Sequence, residues 1–407
     1  MLTKKDIIYI EETAQSLQET AVSHRRALHR IPETAWHEEM TTAYLKKELE
    51  RLGYRIITGS AAAGHSTGLV AEIGSNDELK IGLRFDIDAL SVTESNSDSH
   101  KPAAESFLSE KENCMHACGH DGHMAIGLLT ARILAAYKHR IQGTVRLLFQ
   151  PAEEGCMGAV EMVRCGWLSD LNYFMAAHIV GREYGQTASG PADCVSAVTG
   201  SLATTKINVY FNGKSCHGAC PEHGASAISA LSNAVLSLNG IPRSSEGSTM
   251  INIGRISGGE GRNVVAGHAE MELEVRGNTT ALNQYMEDQA LRIVSSAAAV
   301  YGCTAESFIT GKAPSLVSSP EFHSHINAVL KQCSGIKTAV SGECFRASED
   351  AALMMEEVKK HGGQAAFLLF PTDTTAPLHS RNYDFDEGIL GKGAAVFSLI
   401  VLDLLLS

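Results

Sequence analysis

The hydrophobic pattern of this chain changes character near residue 200 and changes back past residue 360, so one uniform sheet cannot hold all of it. Early on, residues 80–86 (KIGLRFD) read as a strand ending in acid, and residues 144–149 (TVRLLF) form a short apolar run closed by Pro151. Runs of that kind suit strands buried on both faces. A helical stripe over residues 125–137 lies between them. Met40, Tyr44, Leu45, Leu49 and Leu52 recur at helical spacing before Gly53. Strands alternating with helices predict an α/β domain with a mostly parallel sheet and flanking helices. Beyond residue 200, Thr205, Ile207, Val209 and Phe211 alternate with Lys206, Asn208, Tyr210 and Asn212. Met271, Leu273 and Val275 alternate with Glu270, Glu272 and Glu274 in the same way. Strict alternation marks an antiparallel sheet with one wet face. With helices expected at 225–238 and 284–300, the segment reads as a small α+β unit. Residues 364–370 (QAAFLLF) then resume the buried-strand style. The expected organisation is one domain in two pieces, 1–197 and 311–407, with residues 198–310 inserted between them.

The length of 407 residues also favours two domains over one core. Acidic residues exceed basic ones by 12 with no long Lys/Arg run, which argues against nucleic acid and anionic membrane surfaces as partners. The first residues turn polar at Glu11 and Glu12, so no secretory signal is expected. The apolar stretch 394–406 is too short to span a bilayer and carries Asp403, which predicts a buried terminal helix. Ten cysteines spread without a CxxC pair predict reduced thiols and a cytoplasmic protein. Aromatic residues make up only 6% of the chain and suggest no stacking box for a substrate.

Chemistry concentrates in residues 114–123, where Cys114, His116, Cys118, His120 and His123 fall within ten positions. Such a density of thiol and imidazole suits zinc, nickel or manganese, and Gly119 and Gly122 allow the tight turn that brings Cys118 and His120 to one centre. Any one of these histidines alone is more often an ordinary hydrogen-bonded residue than a ligand. Glu153 and Glu154 follow the apolar run directly. Two adjacent carboxylates there are costly unless a cation compensates them, and one can bind metal while its neighbour takes a proton from water. Alone, the pair reads equally as a helix start. His178 ends another apolar run, and His379 follows the late strand. Asp86 and Asp88 stand where they could ligate or orient a ligand imidazole.

The ordered segments HRRALHRIPE (24–33), RFDIDAL (84–90), MHACGHDGH (115–123), FQPAEEG (149–155), AHI (177–179), GKSCHG (213–218) and GRNVV (261–265) are similar to the aminoacylase/carboxypeptidase metallopeptidase family. Within it they resemble the amidohydrolase branch of N-acyl-amino-acid and hippurate-type hydrolases. SEDAALMM (348–355), GRNVV (261–265) and YDFDE (383–387) look closest to the p-aminobenzoyl-glutamate and indole-acetyl-amino-acid hydrolases. The resemblance implies a zinc-peptidase-like catalytic domain with a ferredoxin-like inserted lid and dimerisation domain. It implies two divalent ions, manganese or zinc, on Cys118, His120, Glu154, His178 and His379. Glu153 would be the general base and His217 the oxyanion donor, with Asn263 and Arg276 at the substrate end. The implied reaction hydrolyses the amide of an N-acyl or N-aroyl amino acid, in a homodimer or together with a second, related chain. The alternative is a non-catalytic or partner-dependent component of a heteromeric amidohydrolase.

Overall fold

A computed structural model describes residues 2–74, 79–188, 190–339 and 343–406. Two compact units emerge: Met1–Thr199 with Val317–Cys344 and Asp350–Ser407, and Gly200–Leu316 with Phe345–Glu349.

The larger unit is built on an eight-stranded sheet. Its strands β1 (Arg55–Thr58), β2 (Leu69–Gly74), β3 (Lys80–Asp86), β4 (Thr144–Gln150) and β5 (Tyr173–Gly181) lie in the order β1-β2-β4-β3-β5. Gln364–Thr372, Cys194–Val195 and Thr338–Ala339 continue it. β3 runs parallel to β4 and β5, and β5 parallel to Gln364–Thr372, while β1 and β2 form an antiparallel margin. The central strands are apolar throughout because both of their faces are covered. On one side the helices His120–Ala136 and Ile389–Leu405 pack together against the sheet, with the Phe85 ring 5.3 Å from Phe149 and 5.5 Å from Phe397. No helix among the described residues is long and apolar enough to cross a membrane.

Two local expectations need correction. The helix expected over residues 125–137 begins at His120, after Gly119 turns the chain at φ +86°. It is buried almost all round, so its first turn has no polar face to mark it in the sequence. Met40, expected on the inner face of Glu39–Arg51, is 51% exposed. Thr41 and Thr42 turn inward instead, and Thr42 Oγ1 accepts a hydrogen bond from the Gly68 amide at 2.9 Å.

The smaller unit follows the β-α-β-β-α-β order of a ferredoxin-like fold: Ala203–Asn212, Ala227–Asn239, Thr249–Gly258, His268–Gly277, Thr280–Val300 and Thr304–Ala313. All neighbouring strands of its four-stranded sheet are antiparallel. Ile207, Val209 and Phe211 face the helices with Met271, Leu273 and Val275, so the alternation seen in the sequence is the dry face of this sheet. Its last strand runs past residue 310, and the unit extends to Leu316.

The larger unit carries an unusual charge deep in its interior. Arg25, 1% exposed on the helix Gln18–His29, reaches Asp121 at 2.8 Å, Asp384 at 2.5 Å and Glu387 at 3.2 Å. Its guanidinium also lies 4.4 Å from the centre of the Phe385 ring. Removing one partner from such a cluster leaves uncompensated buried charge. Arg25→Met should therefore cost about 3–5 kcal/mol of unfolding free energy in urea titrations. Arg25→Lys, which keeps the charge and loses the fork of donors, should cost less. A loss below about 1 kcal/mol for the Met variant would show that the cluster does not hold the fold.

Candidate metal centre

Parallel sheets present ligand sites beyond the carboxyl ends of their strands. At that crest, β3 leads into Asp86 and Asp88, β4 into Glu153 and Glu154, and β5 carries His178. The strand Gln364–Thr372 leads on to His379, and Cys118 and His120 stand at the head of the buried helix. Two residues here adopt left-handed backbone without being glycine: Ala152 at φ +55°, just before the glutamate pair, and His379 at φ +64°. The His379 amide donates to the Ala117 carbonyl at 2.8 Å, which ties the late loop to the cysteine segment.

Hydrogen bonds decide what each imidazole can do. His120 Nδ1 donates to the Asp88 carbonyl at 2.8 Å, so the neutral ring carries its lone pair on Nε2. That Nε2 is buried, has no hydrogen-bond partner among the described residues, and lies 3.7 Å from Asp86 and 3.9 Å from Glu153. His178 Nδ1 donates to the Ile179 carbonyl at 2.6 Å, which turns Nε2 toward Cys118 Sγ at 3.4 Å. His123 is different. Its Nδ1 donates to Asp86 at 2.5 Å and its Nε2 accepts from the Ile179 amide at 2.9 Å, so it orients the site rather than ligating. Asp86 also takes a bond from Arg84 at 2.7 Å. Asp88 Oδ2 accepts from the Glu154 amide at 3.0 Å and fixes the glutamate turn. Asp86 and Asp88 thus act on their neighbours in the way that outer partners steer metal ligands.

The donor atoms fall into two triads that share one sulfur. Cys118, His120 and His178 bring ligand atoms within 4.8 Å of one another, and so do Cys118, Glu154 and His379. Glu153 joins His120 and Glu154 in a third group. Thiolate, imidazole and carboxylate in this proportion suit zinc or manganese. Electrostatics point the same way. Burial, with Glu154 beside it, pushes the Cys118 thiol well above its ordinary range. Burial and Asp88 hold the Glu154 carboxyl up at about 7. A divalent cation among them would reverse both shifts, as it does for any coordinated thiol. The residues present fit a two-ion centre.

The remaining candidates belong to the smaller unit. His217 pairs with Val264 across a short two-stranded ribbon, and the Gly218 amide donates to the Asn263 carbonyl at 2.7 Å, so His217 and Asn263 are neighbours. The Ala219 amide donates to His217 Nδ1 at 3.1 Å, which leaves the proton of the neutral ring on Nε2, facing solvent. Arg276 is not brought to them. It stands near the far end of His268–Gly277, and its guanidinium pairs with Glu274 at 3.0 Å.

Two features of this region have no counterpart among the sequence motifs. Glu38 is fully buried, and its Oε1 accepts from the Ala152 amide at 2.9 Å. Burial first, and Asp88 second, push its carboxyl up to about 7. Trp36 stacks on His65 with ring centres 3.9 Å apart, although the chain is poor in aromatic residues. Only an acid at position 38 hints at the first, and no local pattern hints at the second.

A model of the peptidase family M20/M25/M40 matches residues 82–403. One of the p-aminobenzoyl-glutamate hydrolase subunits of Escherichia coli is 35% identical over 91% of this chain and 92% of its own length. The indole-3-acetyl-aspartic acid hydrolase of Enterobacter agglomerans is 33% identical over 97% and 98%. Among solved structures, a dinuclear metal-binding M20 peptidase of Bacillus subtilis superposes with a TM-score of 0.72 at 26% identity, over 96% of this chain and 99% of that one.

Glu38 gives the region a pH signature. Its carboxyl keeps a proton in the fold up to about 7 that the unfolded chain loses near 4.5. Over that window the native state binds more protons, so this residue's contribution to stability falls as pH rises. Glu38→Gln should remove that slope and stabilise the protein at pH 8 by up to about 3 kcal/mol. Unfolding titrations of both proteins at pH 5 and pH 8 check this, and parallel pH profiles would refute it.

Proposed function

The chain belongs to peptidase family M20/M25/M40, and from that premise we propose that it hydrolyses the amide bond of N-acyl or N-aroyl amino acids, p-aminobenzoyl-glutamate among them, releasing a carboxylic acid and a free amino acid. The observation that carries the reading is the pair of donor triads joined at Cys118, with Glu153 alongside.

Cys118, His120, Glu154, His178 and His379 would hold the ions, manganese or zinc. When bound, these ions supply Lewis-acid polarisation of the amide carbonyl and acidify a water. Glu153, 7% exposed and 3.9 Å from His120, is placed to take the proton from the attacking water. The water oxygen bonds to the carbonyl carbon, the C–N bond breaks, and Glu153 returns the proton to the leaving nitrogen. His217 would donate from Nε2 to the oxyanion, which its hydrogen bond from Ala219 favours. Asn263 would bind the substrate beside it. For Arg276 the motif match alone speaks, because Glu274 already neutralises its charge.

Assembly as a homodimer through residues 198–310, acting as a lid and dimerisation domain, extends the same reading, and the free state of all ten cysteines suits a cytoplasmic setting. That the Escherichia coli relative is named as one of several subunits favours one second reading, in which a related chain is needed for turnover. The complete donor set and an intact Glu153 speak for catalysis by this chain.

Glu153→Gln should lower turnover of p-aminobenzoyl-glutamate by about 10²–10⁴ while metal content stays at the native level. Near-native rates would remove Glu153 from the role of base. Cys118→Ala should lower the metal bound per chain, measured by elemental analysis after dialysis. An unchanged stoichiometry would take the sulfur out of the ligand set.

A further inference from the structure

Trp36 is held in an expensive conformation for a bulky side chain, at φ +67°. The segment bearing it is fastened at both ends to the loops of the metal centre. Upstream, Thr34 bridges to Ala89, and the Ala89 amide donates to the Glu33 carbonyl at 2.7 Å, next to Asp88. Downstream, Glu38 accepts from the Ala152 amide, one residue before Glu153. Trp36 forms the crest between these ties. Its stacking partner, His65, comes from a second loop pressed on the same turn. A Cβ at Gly68 would come within 2.6 Å of Pro151 Cδ, so only glycine lets that loop approach so closely. Both rings therefore stand over residues 151–152, which lead into the catalytic glutamates. Trp36 is only partly buried and His65 is exposed, so the stack has a face open to solvent.

We propose that Trp36 and His65 form the wall against which the aromatic ring of an aroyl group lies, making the enzyme selective for N-aroyl over N-acetyl amino acids. The inference rests on the amidohydrolase reading and adds to it the class of acyl group. A flat, rigid pair offers offset stacking to a second ring and nothing comparable to a methyl group. The strained backbone is the cost of presenting the indole face at this position.

The test compares N-benzoyl-glutamate with N-acetyl-glutamate on the metal-loaded protein. The benzoyl-to-acetyl ratio of kcat/KM should fall about ten-fold in Trp36→Leu and in His65→Ala, and Trp36→Phe should keep most of it. Ratios within two-fold of native in both variants would overturn the proposal. A binding measurement stands apart from turnover. The chain has two tryptophans, so Trp167→Phe makes Trp36 the sole indole reporter. With Glu153→Gln added to prevent cleavage, N-benzoyl-glutamate should change its fluorescence saturably and N-acetyl-glutamate should not. An equal response to both, or to neither, overturns the aromatic wall. If the native protein cleaves neither amide while the fluorescence still separates them, the hydrolytic reading fails and the wall stands.

Discussion

The site depends on a buried positive charge that no ligand touches. Arg25 binds Asp121 and Asp384 at once, and each of these acids belongs to a segment that carries a ligand candidate. Asp121 follows His120 directly, at the start of the central helix. Asp384 lies five residues after His379, in the loop that returns toward the last helix. One guanidinium thereby pins together two segments separated by more than half the chain. His29 adds a second hold on Asp121 at 2.8 Å, and Glu387 is shared by Arg25, Arg26 and Lys101. A planar fork of donors can meet several carboxylates in fixed directions, which a lysine cannot do.

Above that layer lies a second one, made of groups that set proton positions. Backbone carbonyls of Asp88 and Ile179 take the Nδ1 protons of His120 and His178 and so present both Nε2 atoms to the centre. Asp86 is held by Arg84 and His123 and faces the His120 ring without leaving its own partners. The outcome is a cluster rich in negative and lone-pair-bearing groups at the dry crest of a sheet. Such a cluster is costly by itself and inexpensive around a divalent cation, which is the physical reason to read it as a metal centre.

Much of this is legible in the sequence, for identifiable reasons. The strand Lys80–Asp86 and the alternating strands near 205 and 271 announce themselves because burial on two faces or one writes a different period. The five ligand candidates and Glu153 stand out because their spacing is local and their chemistry dense. What stays hidden joins residues far apart. The stack of Trp36 on His65 and the grip of Arg25 on Asp384 have no local signature, since the partners meet only when loops and helices pack. The early start of the helix at His120 is concealed because a helix buried all round lacks an amphipathic stripe. Arg276 looks like a carboxylate binder on sequence, and its pairing with Glu274 comes from register within one strand.

The most direct measurement is hydrolysis of p-aminobenzoyl-glutamate by the purified chain alone, before and after a chelator and again after adding back manganese or zinc. The account predicts release of p-aminobenzoate and glutamate that chelation abolishes and metal restores, with recovery complete at two ions per chain. Absence of cleavage with two ions bound, or cleavage indifferent to the chelator, would contradict it.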